Sequence, residues 1–332
     1  MLALSLTGER DVAVLDVAPA PQPAPGELRI AVRGLGLCGS DLSRYLGHRG
    51  VPRLPWVVGH EAFGTVTAVG DGVDPSRMGE TVVIEPIIGC GECLRCTGGM
   101  SAICESRRVL GMTEAGAGSE HYTLPASHAH TVPAEWPLAV LGCIEPLAVA
   151  AKAVELADVR EGDSVLIIGG GAQGVFVGKL LQARGIRVEL SEIQPEKAAF
   201  VADLGIGPRS APDSQYSRVF EASGSAGGWK SALAAVEPGG AIVLVGMGSA
   251  PLEFTSEDLV LRQVRVLSSY VYDHPTGFER AINAVRDGAI DVAPVVSAVV
   301  PVAEASRAYE SALTAPGKVV ISFEEWSRDA DE

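Results

Sequence analysis

Apolar and polar residues alternate along Glu27-Leu-Arg-Ile-Ala-Val-Arg33, so every second side chain faces one side, as in a strand half-buried on a core. Val57-Val58, Thr65 to Val69, Thr81 to Ile84 and His121 to Leu124 also read as extended, cut by Gly and Pro. The first half is therefore expected to be β-rich, with long loops. The pattern changes near residue 146. Leu147 to Ala157 is an Ala-rich helix candidate, and Ser164 to Ile168 is an apolar run without alternation, as a parallel strand buried on both faces requires. A helix to about Arg184, a stop at Gly185 and a second strand, Arg187 to Ser191, complete a β-α-β unit. Strands at Arg218 to Ala222, Ala241 to Val245 and Val264 to Ser269, with a helix at Trp229 to Val236, continue the alternation. This predicts an α/β class with a Rossmann-like, doubly wound parallel sheet. The stretch Gly205 to Arg218 is short, so one helix of this half is expected to be missing. A helix from Thr276 to Asp287, a Pro-bounded strand and a charged tail close the chain. The boundaries read as 1–148, completed by 273–332, and 149–272.

A chain of 332 residues has room for about two domains, and 47% hydrophobic with 20% charged residues is a folded composition. Lys and Arg total 26 against 41 Asp and Glu, a formal charge of −15. That balance repels phosphate backbones and anionic lipid, so neither nucleic acid nor membrane is an expected partner. Glu9, Arg10 and Asp11 interrupt the N-terminus before a signal-peptide core could form, and no apolar run nears a bilayer's span. A soluble, cytoplasmic protein is expected.

Four of the six cysteines fall at Cys90-x2-Cys93-x2-Cys96-x7-Cys104. Thiolates at this spacing close tetrahedrally on one zinc, and four ligands leave no open position, which makes the site structural. A second set is scattered: Cys38-Gly-Ser40-Asp41, Gly59-His60-Glu61 and Cys143-Ile-Glu145-Pro146. Together these supply a thiolate, an imidazole and carboxylates, a zinc set with room for water or substrate. After the apolar strand comes Gly169-x-Gly171-x-x-Gly174, opening a helix, with Gln173 in the same turn and Glu192 18 residues after Gly174. The glycines allow the tight turn, the approach of a pyrophosphate and helix-on-strand packing, while Glu192 would accept from ribose hydroxyls and repel a 2′-phosphate. NAD is thus expected over NADP. Glu189 is the other acidic candidate, less well placed at mid-strand.

Gly59-His60-Glu61-x2-Gly64-x5-Gly70-x2-Val73, followed by the four-cysteine lobe and the glycine turn, resembles the zinc-containing medium-chain dehydrogenases over nearly the whole chain. The resemblance implies a GroES-like catalytic domain, two zinc ions per chain, NAD, and a homodimer or homotetramer. It makes Cys38 and His60 catalytic zinc ligands, with Glu145 at the position of the third. Glu-Pro-Leu there resembles the sorbitol, threonine and 2-deoxy-scyllo-inosamine dehydrogenase branch, in which Glu61 and Glu145 are alternatives for ligation and for holding the zinc water. Ser40 matches the hydroxyl that relays the alcohol's proton. Ser43 stands where many relatives place the histidine ending that relay, leaving water or His48 as acceptor. The implied activity is zinc-assisted oxidation of a secondary alcohol (a polyol, sugar or aminocyclitol) with hydride transfer to NAD. The rival readings are a zinc reductase of another carbonyl, a zinc-free enoyl or quinone reductase, and an NAD-binding redox sensor. Cys38, His60 and the lobe argue against the zinc-free enzyme.

Overall fold

The computed structural model describes residues 1–328, so the end of the charged tail lies outside the described residues. The described residues form two compact units, one of residues 1–145, 273–282 and 296–328, the other of 146–272 and 283–295. Residues 283–295 thus pack with the second unit, whereas the sequence pattern groups them with the first.

The first unit is built on a seven-stranded sheet in the order Ala129–Thr131, Thr81–Ile84, Glu61–Val69, Glu27–Gly36, Lys318–Ser322 and Val296–Pro301, with His121–Pro125 also pairing on Glu27–Gly36. Glu27–Gly36 carries the expected alternation: Leu28, Ile30 and Val32 are buried, while the residues between them are half-exposed. Past Gly34 the alternation stops and three successive residues are buried, because this end of the strand is covered on both faces. The strand read as Thr65 to Val69 begins four residues earlier, at Glu61, in a run of four buried residues that breaks the period. A smaller sheet joins Leu2–Gly8, Asp11–Asp16 and Trp56–Val57.

In the second unit six parallel strands run Gly207–Pro208, Val188–Ser191, Val165–Ile168, Tyr216–Glu221, Val236–Leu244 and Arg265–Ser268 across the sheet. In chain order this is 3-2-1-4-5-6, the doubly wound arrangement the alternation predicts. Among the described residues no helix lies between Gly207–Pro208 and Tyr216–Glu221, in keeping with that short stretch. Glu189 closes the turn instead, accepting from the Ser210 amide (2.8 Å) and the Tyr216 hydroxyl (2.5 Å).

The helix expected at Leu147 to Ala157 spans Ile144–Leu156. Pro146 does not delay it, since a first-turn amide has no partner within the helix to lose. Glu145 therefore sits in a helix's first turn, not in a loop. Among the described residues no helix is long and apolar enough to cross a membrane.

Candidate active site

Three neighbouring strand ends create the first cluster. In the sheet register, Gly36 pairs with Glu61 on one side and Val320 on the other. A Cβ at position 36 would run into the Glu61 carboxylate and lie 2.7 Å from Lys318 Cε. Its absence lets the Lys318 ammonium cross to Glu61 as a buried ion pair, while the same ammonium donates to the Leu37 carbonyl at 3.1 Å. Two residues beyond Gly36, Cys38 caps the helix Gly39–Tyr45, and Asp41 of that helix accepts from the Cys38 amide at 3.0 Å. Asp41 also lies 3.4 Å from His60 Nδ1, and the ligand atoms of Cys38, His60 and Glu61 fall within 4.8 Å of one another.

The electrostatics are those of charges kept in a dry place. Burial works against a charged His60, but the nearby Asp41 carboxylate, helped by Cys38, outweighs it and holds the imidazole's pKa well above the ordinary value. Burial likewise opposes the ionised Asp41, yet His60 brings its pKa below the usual range. Lys318 is 4% exposed, and Glu61 keeps its pKa above normal despite that burial. Cys143, fully buried, is pushed up to about 12 by desolvation and is a neutral thiol. Thiolate, imidazole and carboxylate converging with a fourth direction left over fit a catalytic zinc. Glu145 is buried and lies outside that three-atom group. Ser40 and Ser43 are half-buried in Gly39–Tyr45, and His48 is exposed beyond it.

In the cysteine lobe, Cys90 Sγ lies 3.9 Å from Cys96 Sγ and Cys93 Sγ 3.8 Å from Cys104 Sγ. Four sulfurs at about 2.3 Å from one zinc would be about 3.8 Å apart, and a disulfide needs about 2.05 Å. The lobe fits zinc. A Cβ on Gly89 would stand 2.7 Å from Cys96 Sγ, so glycine there admits the sulfur.

At the glycine turn, Gly169 has φ +102 and Gly171 caps the helix Ala172–Gln182 with open space where its Cβ would be. A Cβ on Gly174 would overlap the Gly169 carbonyl. These are the turn, approach and packing roles a pyrophosphate cradle requires. Gln173 donates to the Pro146 carbonyl at 3.1 Å. Glu192 reaches the turn: its carboxylate accepts from the amides of Gly170 (2.7 Å), Ile193 (2.7 Å) and Gln194 (2.8 Å). With Glu189 committed to Ser210 and Tyr216, Glu192 is the carboxylate at the nucleotide turn.

Sequence reasoning missed Lys318, whose one signal was a lysine opening an otherwise apolar strand, and gave Asp41 no role. It also missed a second imidazole cluster. Glu85, 1% exposed, accepts from His130 Nε2 at 2.7 Å and His274 Nδ1 at 2.8 Å. His128 stacks on His274 with ring centres 4.4 Å apart and planes 9° from parallel. Burial brings His128 down to about 4, while the bond to Glu85 raises His274. Parallel rings point their in-plane lone pairs side by side, so His128 and His274 do not converge on one ion although the groups are close.

Residues 24–134 match the family "Alcohol dehydrogenase GroES-like domain" and residues 172–287 "Zinc-binding dehydrogenase". The chain is similar to 2-dehydro-3-deoxy-L-galactonate 5-dehydrogenase of Pseudoalteromonas atlantica, with 29% identity over 93% of this chain and 94% of the other. It is 31% identical to the starvation-sensing protein RspB of Escherichia coli K12 over 75% of this chain and 78% of the other. A solved structure, described as a short chain alcohol dehydrogenase (rspB) from E. coli CFT073 complexed with NADH, superposes with a TM-score of 0.89 at 25% identity, covering 97% and 99% of the two chains. The chain belongs to the zinc-containing medium-chain alcohol dehydrogenases, oxidoreductases that join a GroES-like unit to a Rossmann-type coenzyme unit.

Proposed function

We propose that this enzyme oxidises, reversibly, one secondary hydroxyl of a polyol, sugar, sugar acid or aminocyclitol to the ketone, with NAD as hydride acceptor. The observation that carries the reading is the convergence of Cys38, His60 and Glu61 ligand atoms within 4.8 Å, with Ser40 two residues after Cys38 in the helix that Cys38 caps. Zinc held by these three residues supplies Lewis-acid polarisation of the substrate hydroxyl, and a second zinc in the lobe supplies folding free energy. Asp41 fixes the His60 ring from behind, and Lys318 offsets the negative charge of Glu61. Ser40 takes the alcohol's proton and passes it to water, through Ser43 or His48. A serine cannot hold that proton, so Ser43 serves only as a bridge.

Glu145, buried but outside the ligand group, accepts from a hydroxyl or ammonium next to the reacting carbon. The sugar-acid activity named for the Pseudoalteromonas relative agrees with a hydroxylated substrate. Glu192 selects NAD. The edge strand Arg265–Ser268, with Val260, Leu261 and Val266 exposed near it, is suited to pairing with a second copy in a homodimer. Six free cysteines fit a reducing cytoplasm.

The test is a panel of polyols, sugar acids and cyclitols assayed with NAD by NADH absorbance, with and without chelator. Chelator-sensitive turnover, at least tenfold better in kcat/KM than with ethanol or propan-2-ol, supports the reading. Equal or better turnover of the simple alkanols, or none at all, overturns it.

A further inference from the structure

The helix Gly39–Tyr45 carries an arginine that the chemistry described so far does not use. Ser40 and Arg44 stand four residues apart and so share one face of that helix. Helical side chains lean toward the N-terminus, which sends Arg44 back over the turn that holds Ser40 and the Cys38 cap. Its Nη1 donates to Met112 Sδ at 2.6 Å. Met112 is positioned by its neighbour: a Cβ on Gly111 would stand 3.2 Å from the Gly59 backbone, and the Gly111 carbonyl accepts from Trp56 Nε1 at 3.0 Å. Gly59 precedes His60, so the loop that touches Arg44 also packs against the start of the ligand strand.

A thioether is a weak acceptor for a guanidinium. Among the described residues Arg44 forms no ion pair, and its Nε is buried without a partner. Asp41, three residues back, is committed to the Cys38 amide and to His60. Burial and the nearby Arg49 hold the Arg44 pKa below the usual guanidinium range, although Asp41 and Cys38 act against them. The surrounding chain adds positive charge. Between Asp41 and Glu61 it carries Arg44, His48, Arg49 and Arg53 and no Asp or Glu, in a protein of formal charge −15. The other charges of the cluster offset one another, His60 against Asp41 and Lys318 against Glu61. Arg44 has donors to spare, and its planar fork matches a carboxylate or a phosphate.

Resting on the polyol-oxidising reading above, we infer that Arg44 selects the substrate by binding an anionic group, a carboxylate or a phosphate, on the same molecule as the reacting hydroxyl. The enzyme then acts on the acidic members of the polyol class, sugar acids or sugar phosphates, ahead of neutral polyols. Aminocyclitols fall last, because their ammonium would face the guanidinium. About 9 Å of helix separates the Arg44 and Cys38 backbones, and the side chain leans back across part of that span. An anion several carbons from the reacting hydroxyl suits this spacing.

The test uses polyols that differ only at one end: sorbitol with gluconate and sorbitol 6-phosphate, galactitol with galactonate and galactitol 1-phosphate, and glucosaminitol as the cationic member. An acidic member should exceed its neutral partner at least tenfold in kcat/KM with NAD, and the carboxylate and phosphate arms show which anion is meant. Arg44→Met, which keeps an apolar stem against Met112, should lower that preference by about 30-fold, the scale of one hydrogen bond to a charged group, through KM and not kcat. Arg44→Lys keeps the charge and should recover part of the preference, which separates loss of charge from loss of fold. Calorimetry of the preferred anion on the zinc-loaded protein holding NADH, a pair that does not turn over, should show the same order of affinities. If neutral or cationic members are oxidised best, or Arg44→Met leaves both the preference and the anion's affinity intact, the inference fails and the polyol reading stands. If no member is oxidised, that reading fails and takes the inference with it.

Discussion

Two clusters in the GroES-like unit are made of the same materials. One gathers His60 with Asp41 and Glu61, the other His128, His130 and His274 with Glu85, and both bury a carboxylate almost completely. They differ in what their atoms leave undone. Around Glu85, His130 and His274 donate to one carboxylate oxygen and His128 lies parallel to His274, so the group closes on itself. Around His60 a thiol and a carboxylate approach from separate strand ends, His60 Nδ1 is buried without a well-aimed hydrogen bond, and Lys318 balances the extra charge. Residue types therefore do not distinguish a metal centre from a proton-sharing knot. Ring orientation and unsatisfied buried atoms do.

The sharpest way to break the contrast is Cys38→Ser. It should lower kcat/KM by at least ~10³-fold, the scale of losing a main electrostatic stabiliser, and remove one zinc by elemental analysis with the thermal melt little changed. The matching change at the other cluster, His128→Phe, should leave the metal content untouched. If His128→Phe costs a metal ion, the two clusters are not different in kind.

Lys318→Met is expected to cost about 3–5 kcal/mol in chelator-treated protein, because it strands the buried Glu61 charge. Zinc should restore much of that stability by taking the place of the ammonium. A melt that falls equally with and without metal would mean Glu61 does not face the ion.

Ser40→Ala should slow turnover by about 10²-fold, the usual worth of a positioned proton carrier, and Ser43→Ala should cost little. Equal damage from both would end the assignment of Ser40 as the primary acceptor.

The smallest expected effect is a pH slope. His128 titrates near 4 when folded, below its unfolded value, so the unfolded chain binds more protons as pH falls through 6. Stability should drop by about 1–2 kcal/mol between pH 7 and 5 from this group, and His128→Phe should flatten that part of the curve. His274 runs the other way: its raised pKa gives stability that is full below the unfolded value and fades as pH climbs through the folded one. Denaturant midpoints across pH for His128→Phe and His274→Gln would separate the two, and parallel curves for wild type and His128→Phe would count against the knot.

Much of the fold was legible because its signals are local. Ser164 to Ile168, the glycine turn and Arg187 to Ser191 announce a β-α-β unit within about thirty residues, and the lobe's four cysteines lie in one short stretch. Elements whose burial is not periodic were harder. The helix Gly39–Tyr45 is seven residues long, and the Glu61 end of its strand is buried throughout. Lys318 showed only as a lysine opening an apolar strand, because its meaning depends on a strand pairing with residues far away in sequence. Glu192 stood out in the sequence as the acid after the second strand, but the amides that grip it come from backbone geometry that no residue letter encodes.

The arrangement of strand ends has a kinetic consequence. Leu35, Ala62 and Val320 belong to the ladder that carries the Cys38–His60–Glu61 cluster, so releasing those ligands means opening the middle of the sheet. Their amides should exchange with deuterium only when the whole unit unfolds. The cysteine lobe is joined by two-residue strands, Ile87–Ile88 and Arg108–Val109, and its Cys90 is exposed. It can open by itself, and a zinc held there would leave first under a chelator although its four sulfurs are the softer set. How long a metal would stay at either site should then be governed by the backbone behind it, not by the ligands in front.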